Sequence, residues 1–337
     1  MKLQEGCPNS GSREYKVVKQ MLSEDINALT KDCDREVGSV GHTNARNYLV
    51  GRLRSLGLEP YASSAYELPY SAGGLEFTNI VALIPGIDRD LPPLLLGAHY
   101  DTVESQAGAD DNAAAVSILL GAAESLQCGD RARSVVIAFF DAEEPPHFLQ
   151  TSMGSIRFYE DQMIGPIHTA VIMDLVGHDV PVPGLEDLLF ILGAESDVSL
   201  EGIVRACEPE SGLRTVPTLN RYVGDLSDHH IFRTNDRPYL FLTCGHWEHY
   251  HAATDTPDNL NLEKIGNIQK YLEALAERLC VSEPIGPSES DATLDNEISF
   301  LEKNIMPALR DFGLSQSLKT RQDIDRIVTI LISQFGL

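Results

Sequence analysis

Residues 94–126 read LLLGAHYDTVESQAGADDNAAAVSILLGAAESL. The opening apolar run suits a strand buried on both faces, and the closing run, rich in alanine and leucine, suits a helix. Between them a polar turn carries His99, Asp101, Asp110 and Asp111. Working outward, further apolar extended runs appear at 77–84 (FTNIVALI), 134–141 (SVVIAFFD), 168–174 (HTAVIMD), 187–193 (DLLFILG) and 239–243 (YLFLT), with helix-like segments between several of them. Nearly continuous apolar strands alternating with helices predict an α/β protein, a three-layer α/β/α sandwich around a mixed, largely parallel sheet. In such a sheet, ligands gather at the carboxyl ends of the strands.

Before the first strand, helical spacing predicts helices over 15–29 and 45–56, the second ended by Gly57. Beyond Cys280 the composition shifts to VSEPIGPSESDATLDNE, a polar stretch with two prolines that reads as a linker. The expected organisation is a core domain over 1–282, then a linker and C-terminal helical tail over 283–337. In the tail, Leu294, Ile298, Leu301 and Ile305 stand at helical spacing, Pro307 and Gly313 interrupt it, and Ile324, Ile327, Val328 and Leu331 restart it after Thr320. Thr320 and Asp323 form a capping pattern. These helices are expected to dock on the core, another subunit or an entrance loop.

Charge narrows the function. The chain has 26 Lys and Arg against 50 Asp and Glu, a net charge of −24 that repels phosphate backbones and anionic lipid. Nucleic-acid and membrane-surface roles are therefore disfavoured. With 337 residues, 43% of them hydrophobic, the chain can bury a core without disulfides, and its six scattered cysteines, with no CxxC pair, read as reduced and mostly buried. Neither an apolar core of signal-peptide length near the start nor a run long enough to span a membrane is found, which predicts a cytoplasmic protein while leaving secretion of a trimmed chain open.

Four apolar runs are followed at once by metal-capable side chains: His99 and Asp101, Glu143 and Glu144, Asp174, and the histidines 246, 249 and 251. Placed at strand ends of one sheet, these groups converge on one edge, where the carboxylates would repel one another unless a cation neutralised them. GADDN (108–112) adds Asp110 and Asp111 at what reads as the start of the following helix. Adjacent Glu143 and Glu144 point differently at the end of a strand, so one can ligate metal while the other faces a substrate. Any of the three histidines can ligate on chemistry alone.

Taken in order, GAHYDTV, GADDN, DAEEP, MDLVG, LSDHHIF and HAATDTPDNL resemble the co-catalytic zinc aminopeptidase family, which includes bacterial leucyl aminopeptidases, aminopeptidase Y, glutamate carboxypeptidase-like peptidases and the related glutaminyl cyclases. The resemblance covers roughly residues 20–282 and excludes the tail. It implies a zinc exopeptidase fold of the phosphorylase/hydrolase-like kind, with 1–282 as the catalytic domain and two zinc ions per chain. His99 and Asp174 would hold one zinc, Glu144 and His251 the other, and Asp111 would bridge both. Glu143 becomes the general base, and Asp101 orients the His99 ring. Of the three histidines only His251 is followed by the family's spacing to Asp255 and Thr256, which leaves His246 and His249 to the pocket or the surface. Asp228 and His229 match a family segment as a buried pair or a substrate contact. Some members carry a carbonyl-polarising tyrosine where this chain has Gly224, the nearest tyrosine being Tyr222.

The implied activity is hydrolysis of the N-terminal peptide bond of peptides with a free amino terminus, through a di-zinc-activated water; nothing excludes a homo-oligomer. A single-zinc glutaminyl-peptide cyclotransferase is the alternative, but those cyclases have tryptophan where this chain has Tyr250, and Trp247 is its only tryptophan. Related di-zinc amidohydrolases insert a lid domain between their later ligands, and the 77 residues from Asp174 to His251 are too few for it. A non-catalytic binding module of the same fold would lack ligands that are all present here. Side-chain specificity is expected to reside in loops 145–152 and 215–232.

Overall fold

The computed structural model describes residues 10–32, 34–62, 64–288, 291, 293–311 and 317–335. In chain order the elements are α1 (Ser10–Thr30), α2 (Val40–Leu56), β1 (Glu59–Pro60), β2 (Glu67–Ala72), β3 (Leu75–Ile84), β4 (Leu94–His99), α3 (Ala114–Leu126), β5 (Val135–Phe140), α4 (Gly154–Arg157), β6 (Ala170–Met173), β7 (Leu188–Leu192), α5 (Leu200–Ser211), β8 (Arg214–Thr218), α6 (His230–Thr234), β9 (Tyr239–Thr243), α7 (Leu262–Val281), α8 (Leu294–Phe300), α9 (Met306–Asp311) and α10 (Arg321–Phe335). The strands form one mixed sheet in the order β1-β3-β5-β4-β6-β9-β7-β8, with β2 paired to β3. Its centre, β5-β4-β6-β9, is parallel throughout, while β3 and β7 join it antiparallel.

All residues of β4, β5, β6 and β9 are buried, as their apolar runs require. Alternate side chains feed two cores. Leu94, Leu96, Ile137 and Phe139 face α1, α2, α3 and α7, whereas Leu95, Val136, Ala138 and Phe140 pack with Met153, Ile156 and Phe232 on the opposite face. The result is the three-layer α/β/α sandwich. Because β4 is flanked by β5 on one side and β6 on the other, the chain reverses its direction of travel across the sheet at β4, and a crevice opens beyond its carboxyl end.

Local signals explain most boundaries. Ser39 caps α2 through its hydroxyl, which accepts from the His42 N–H, and Gly57 ends the helix at φ 72. Strands β1, β2 and β8 escape the sequence reading because they lack a continuous apolar run: β2 and β8 contain Pro69 and Pro217 and are partly exposed at the sheet margin. Two expectations need correction. The helix expected from residue 111 becomes regular only at Ala114, because Asp111 and Asn112 adopt non-helical φ/ψ. Pro307 does not stop the first tail helix; a π-helical turn over Leu301–Ile305 widens the backbone where a proline ring would otherwise meet the carbonyl one turn back. Gly313 lies outside the described residues.

At the start of α10, Thr320 Oγ1 accepts from the Asp323 N–H while Asp323 Oδ2 accepts from the Thr320 N–H, a reciprocal cap. Cys207, Cys244 and Cys280 are buried and Cys128 is exposed, none of the four in a disulfide; Cys7 and Cys33 lie outside the described residues. Among the described residues, no helix is long and apolar enough to cross a membrane.

Candidate metal centre

The parallel centre of the sheet delivers its strand ends to one place. His99 is the last residue of β4, Glu143 and Glu144 follow β5, Asp174 follows β6, and His251 lies in the loop after β9. In the β4–β5 ladder His99 pairs with Phe140, so the two strands stop level with each other. Ala142, Leu175 and His251 have positive φ (56, 54 and 50), which turns the chain sharply beside each carboxylate or imidazole. For non-glycine residues such a backbone costs roughly 1–3 kcal/mol each and persists where surrounding packing imposes it. Gly108 has φ +58, and a Cβ there would come within 2.3 Å of the Asp111 carbonyl oxygen, so only glycine lets this loop fold back under the site.

All seven residues expected at the site lie together. Asp111 sits at the middle: its Oδ1 is 3.3 Å from His99 Nε2 and its Oδ2 is 3.2 Å from His251 Nε2. His99 Nε2 is also 3.5 Å from Asp174 Oδ1, and His251 Nε2 is 3.1 Å from Glu144 Oε2. Three donor trios result: His99–Asp111–Asp174 and Asp111–Glu144–His251, which share Asp111, and His99–Glu143–Glu144. His99 Nε2, His251 Nε2, Asp174 Oδ1 and Glu144 Oε1 are buried without a hydrogen-bond partner of proper geometry, which is the condition of a ligand set built for cations. Nitrogen and carboxylate oxygen donors of this kind suit zinc. Glu143 Oε2 stands farther off, 3.9 Å from His99 Nε2.

Asp101 acts on the backbone as well as on the ring. Its two oxygens accept the N–H groups of Glu143 and Glu144, each at 3.0 Å, and its Oδ1 is 3.4 Å from His99 Nδ1. It therefore fixes the turn on which both glutamates stand. Asp255 serves the same purpose for the central loop, accepting from Asp110 N at 2.8 Å and Asp111 N at 3.1 Å. Asp110 does not cap α3; it accepts from Gly177 N and pairs with His178 Nδ1, each at 2.6 Å. Sequence reasoning missed Arg35, which is buried and donates to the carbonyls of Tyr100, Ala107 and Gly108. No periodicity or motif marks it, because its partners are backbone atoms about 70 residues away.

Burial and close approach shift the titration of the whole cluster. Burial raises Glu144 to about 8, with Asp111 adding to the rise and His251 opposing it. Glu143 is pushed well up by burial, against His99 but with Glu144 and Asp174. Burial would lower His251, yet Asp111 and Glu144 raise it to about 10. Asp111 goes the other way: burial would raise it, but His251 and His99 hold it well below the usual carboxylate range.

From this cluster a cavity of about 600 Å³ extends between loop and tail residues, including Phe148, Phe190, Tyr222, Phe300 and Val328. His246 is exposed at its lining, stacked on Tyr250 at 4.1 Å, whereas His249 is half-buried, packs edge-on against Trp247 and bonds Thr254. Asp228 and His229 are both buried but not bonded to each other; His229 Nε2 faces Asn220 Oδ1 at 3.0 Å, and burial raises Asp228 to about 7. The Tyr222 hydroxyl is taken up by the tail, where it donates to Asp325 Oδ1 at 2.6 Å and accepts from Arg321 at 3.1 Å.

Residues 79–276 match the model of Peptidase family M28. The uncharacterized protein YfbL of Escherichia coli is 26% identical over 235 residues, which cover 61% of this chain and 71% of YfbL. The structure of the LapA aminopeptidase of Legionella pneumophila superposes with a TM-score of 0.65 at 19% identity, covering 84% of this chain and 80% of LapA. A glutaminyl cyclase from Tannerella forsythia gives a TM-score of 0.62 at 19% identity, covering 77% of this chain and 98% of the cyclase. At these identities the two structures share a fold with this chain.

Proposed function

The chain belongs to peptidase family M28, and on that premise we propose that it is a zinc aminopeptidase that hydrolyses the N-terminal peptide bond of peptides with a free amino terminus. The observation that carries this reading is the shared aspartate: one Asp111 oxygen faces His99 and the other faces His251, so the two donor trios that share it suit a pair of cations rather than one. In this reading His99 and Asp174 would hold one zinc and Glu144 and His251 the other, with Asp111 available to both. Bound zinc ions supply Lewis acidity, bringing the pKa of water down toward about 7 and countering the negative charge that develops on the carbonyl oxygen.

The chain's own residues do the rest. Glu143 takes a proton from the attacking water as the new C–O bond forms, then passes it to the departing amine nitrogen as the C–N bond breaks. Glu143 is buried at the edge of the ligand set, its Oε2 3.9 Å from His99 Nε2, which leaves the carboxylate beside the donors that would hold the water. Asp101 keeps the Glu143 backbone in place, so the carboxylate need not reorganise during the reaction. The surrounding carboxylates favour a positively charged α-amino group, which directs the chemistry to the end of a peptide.

Cyclisation of N-terminal glutamine is the second reading, favoured by the close coverage of the Tannerella cyclase. The predominantly apolar wall of the cavity argues against it, because a glutamine amide buried there would find few partners. Elemental analysis together with hydrolysis of aminoacyl 4-nitroanilides, before and after chelation, tests the proposal. Two zinc ions per chain and chelator-sensitive release support it. About one zinc with cyclisation of glutaminyl peptides transfers the assignment to the cyclase, and absence of both activities after zinc addition overturns it.

A further inference from the structure

The tail lies beyond residues 79–276, the part of the chain that matches the family, yet it reaches the site. Phe300, Leu301, Ile305, Ile324 and Val328 line the same cavity as Glu143, Glu144 and Asp174. Phe148, Val180, Phe190, Val216 and Phe241 line it as well. The tail is held there by its own small core of Leu301, Met306, Leu309, Leu318, Ile324 and Ile327. A polar clamp adds to this: Arg321 pairs with Glu297 and donates to Thr293 Oγ1 at 3.0 Å and to the Tyr222 hydroxyl, which itself reaches Asp325. Tyr222 thereby ties the loop after β8 to α10.

We propose that α8 and α10, with the π-helical turn after α8, form the wall of the substrate pocket in this chain, and that Phe300, Ile324 and Val328 set its selectivity for a bulky apolar N-terminal side chain, aromatic or long aliphatic. The inference rests on the aminopeptidase reading for the identity of the occupant. A volume of about 600 Å³ falls within the range of whole small-ligand pockets, roughly 300–1,000 Å³, so a small side chain would leave much of it filled by water. Away from the metal edge the charged lining group is Glu297, already neutralised by Arg321, so a charged side chain would lose its hydration without gaining a partner. A bulky apolar side chain meets neither penalty.

Two variants test this with two readouts. Val328→Trp narrows the pocket from the tail side, and Phe300→Ala widens it. In the zinc-loaded enzyme, Val328→Trp is expected to lower the ratio of kcat/KM for phenylalanyl over alanyl 4-nitroanilide at least tenfold, while Phe300→Ala raises the ratio of tryptophanyl over leucyl substrate severalfold. Calorimetric titration with phenylalanine amide and alanine amide, in a Glu143→Gln background wherever the parent hydrolyses them, reads the same selectivity without turnover. Hydrolysis with ratios unchanged in both variants overturns the tail assignment and leaves the aminopeptidase reading intact. If no aminoacyl substrate is hydrolysed, but the parent binds phenylalanine amide at least tenfold more tightly than alanine amide and Val328→Trp abolishes the difference, the aminopeptidase reading falls and the tail assignment stands. A parent without calorimetric preference overturns the tail assignment. Should Val328→Trp fail to fold, Phe300→Ala carries the test alone.

Discussion

The pocket has two sides built on opposite physical terms. At the strand ends, seven polar side chains are held within a few ångströms by the register of a buried parallel sheet and by carboxylates that grip backbone N–H groups. Elsewhere on the lining, the tail presents apolar side chains on helices that reach their place by packing, more than 180 residues after His99 in the chain. The first side tolerates almost no displacement, because a carboxylate moved by 1 Å loses its partner. The second is defined by volume and apolarity, which several residue types can satisfy. Chemistry is therefore expected to depend on single atoms on one side, and specificity on summed shape on the other.

The largest expected effect is on the charged side. Glu143→Gln keeps the size of the side chain but removes the base, and turnover should fall by about 10²–10⁴ with zinc content unchanged. A kcat/KM within threefold of the parent would remove Glu143 from the mechanism and erase the contrast. Next comes the clamp of the tail. Arg321→Met strands the buried Glu297 carboxyl without its partner and should cost roughly 3 kcal/mol in urea unfolding, most of it recovered in the double variant Arg321→Met with Glu297→Leu. If the single variant costs nothing, the wall is held by apolar packing alone.

A smaller effect tests how far precision on the charged side depends on support. Asp255→Asn weakens the grip on the Asp110 and Asp111 amides, and zinc affinity measured by competition with a chromophoric chelator should drop about 10–100-fold. The smallest lies in the loop facing the tail. Burial would raise Asp225, but Arg233 and His230 outweigh it and hold the carboxyl at about 2. The depressed value stabilises the fold above the ordinary aspartate range near 3.8, and that contribution is lost as pH falls through about 2. After allowing for solvent screening it amounts to about 1 kcal/mol, so Asp225→Asn should lose that much at pH 6 and only a small part of it at pH 2, read as the difference between parallel urea titrations.

The contrast also explains what was legible in the chain. His99, Glu143, Glu144 and Asp174 follow apolar runs, and a residue that ends a strand of a parallel sheet has its edge fixed by that position alone. Asp255 could be found by its spacing from His251, though nothing local says that its carboxylate binds the backbone at Asp110 and Asp111. Arg35 carried no signal because it serves carbonyl oxygens, which look alike in any sequence. For the tail, helical spacing gave α8 and α10 but not their destination, since an apolar stripe fits any apolar surface. Strands β2 and β8 were hidden by prolines and half exposure at the margin of the sheet.

The sequence alone determined the order of the apolar strands from β3 to β9 other than β8, the burial of the central ones and the polar residues that follow them. These follow from periodicity and from the direction of the chain, which are local properties. Only the tertiary structure decided that the two oxygens of Asp111 face different histidines, that Asp101 grips the amides beneath both glutamates, and that the C-terminal helices close one side of the cavity. Those outcomes join segments far apart in the chain, and their geometry is fixed by close packing of the whole rather than by any stretch of it.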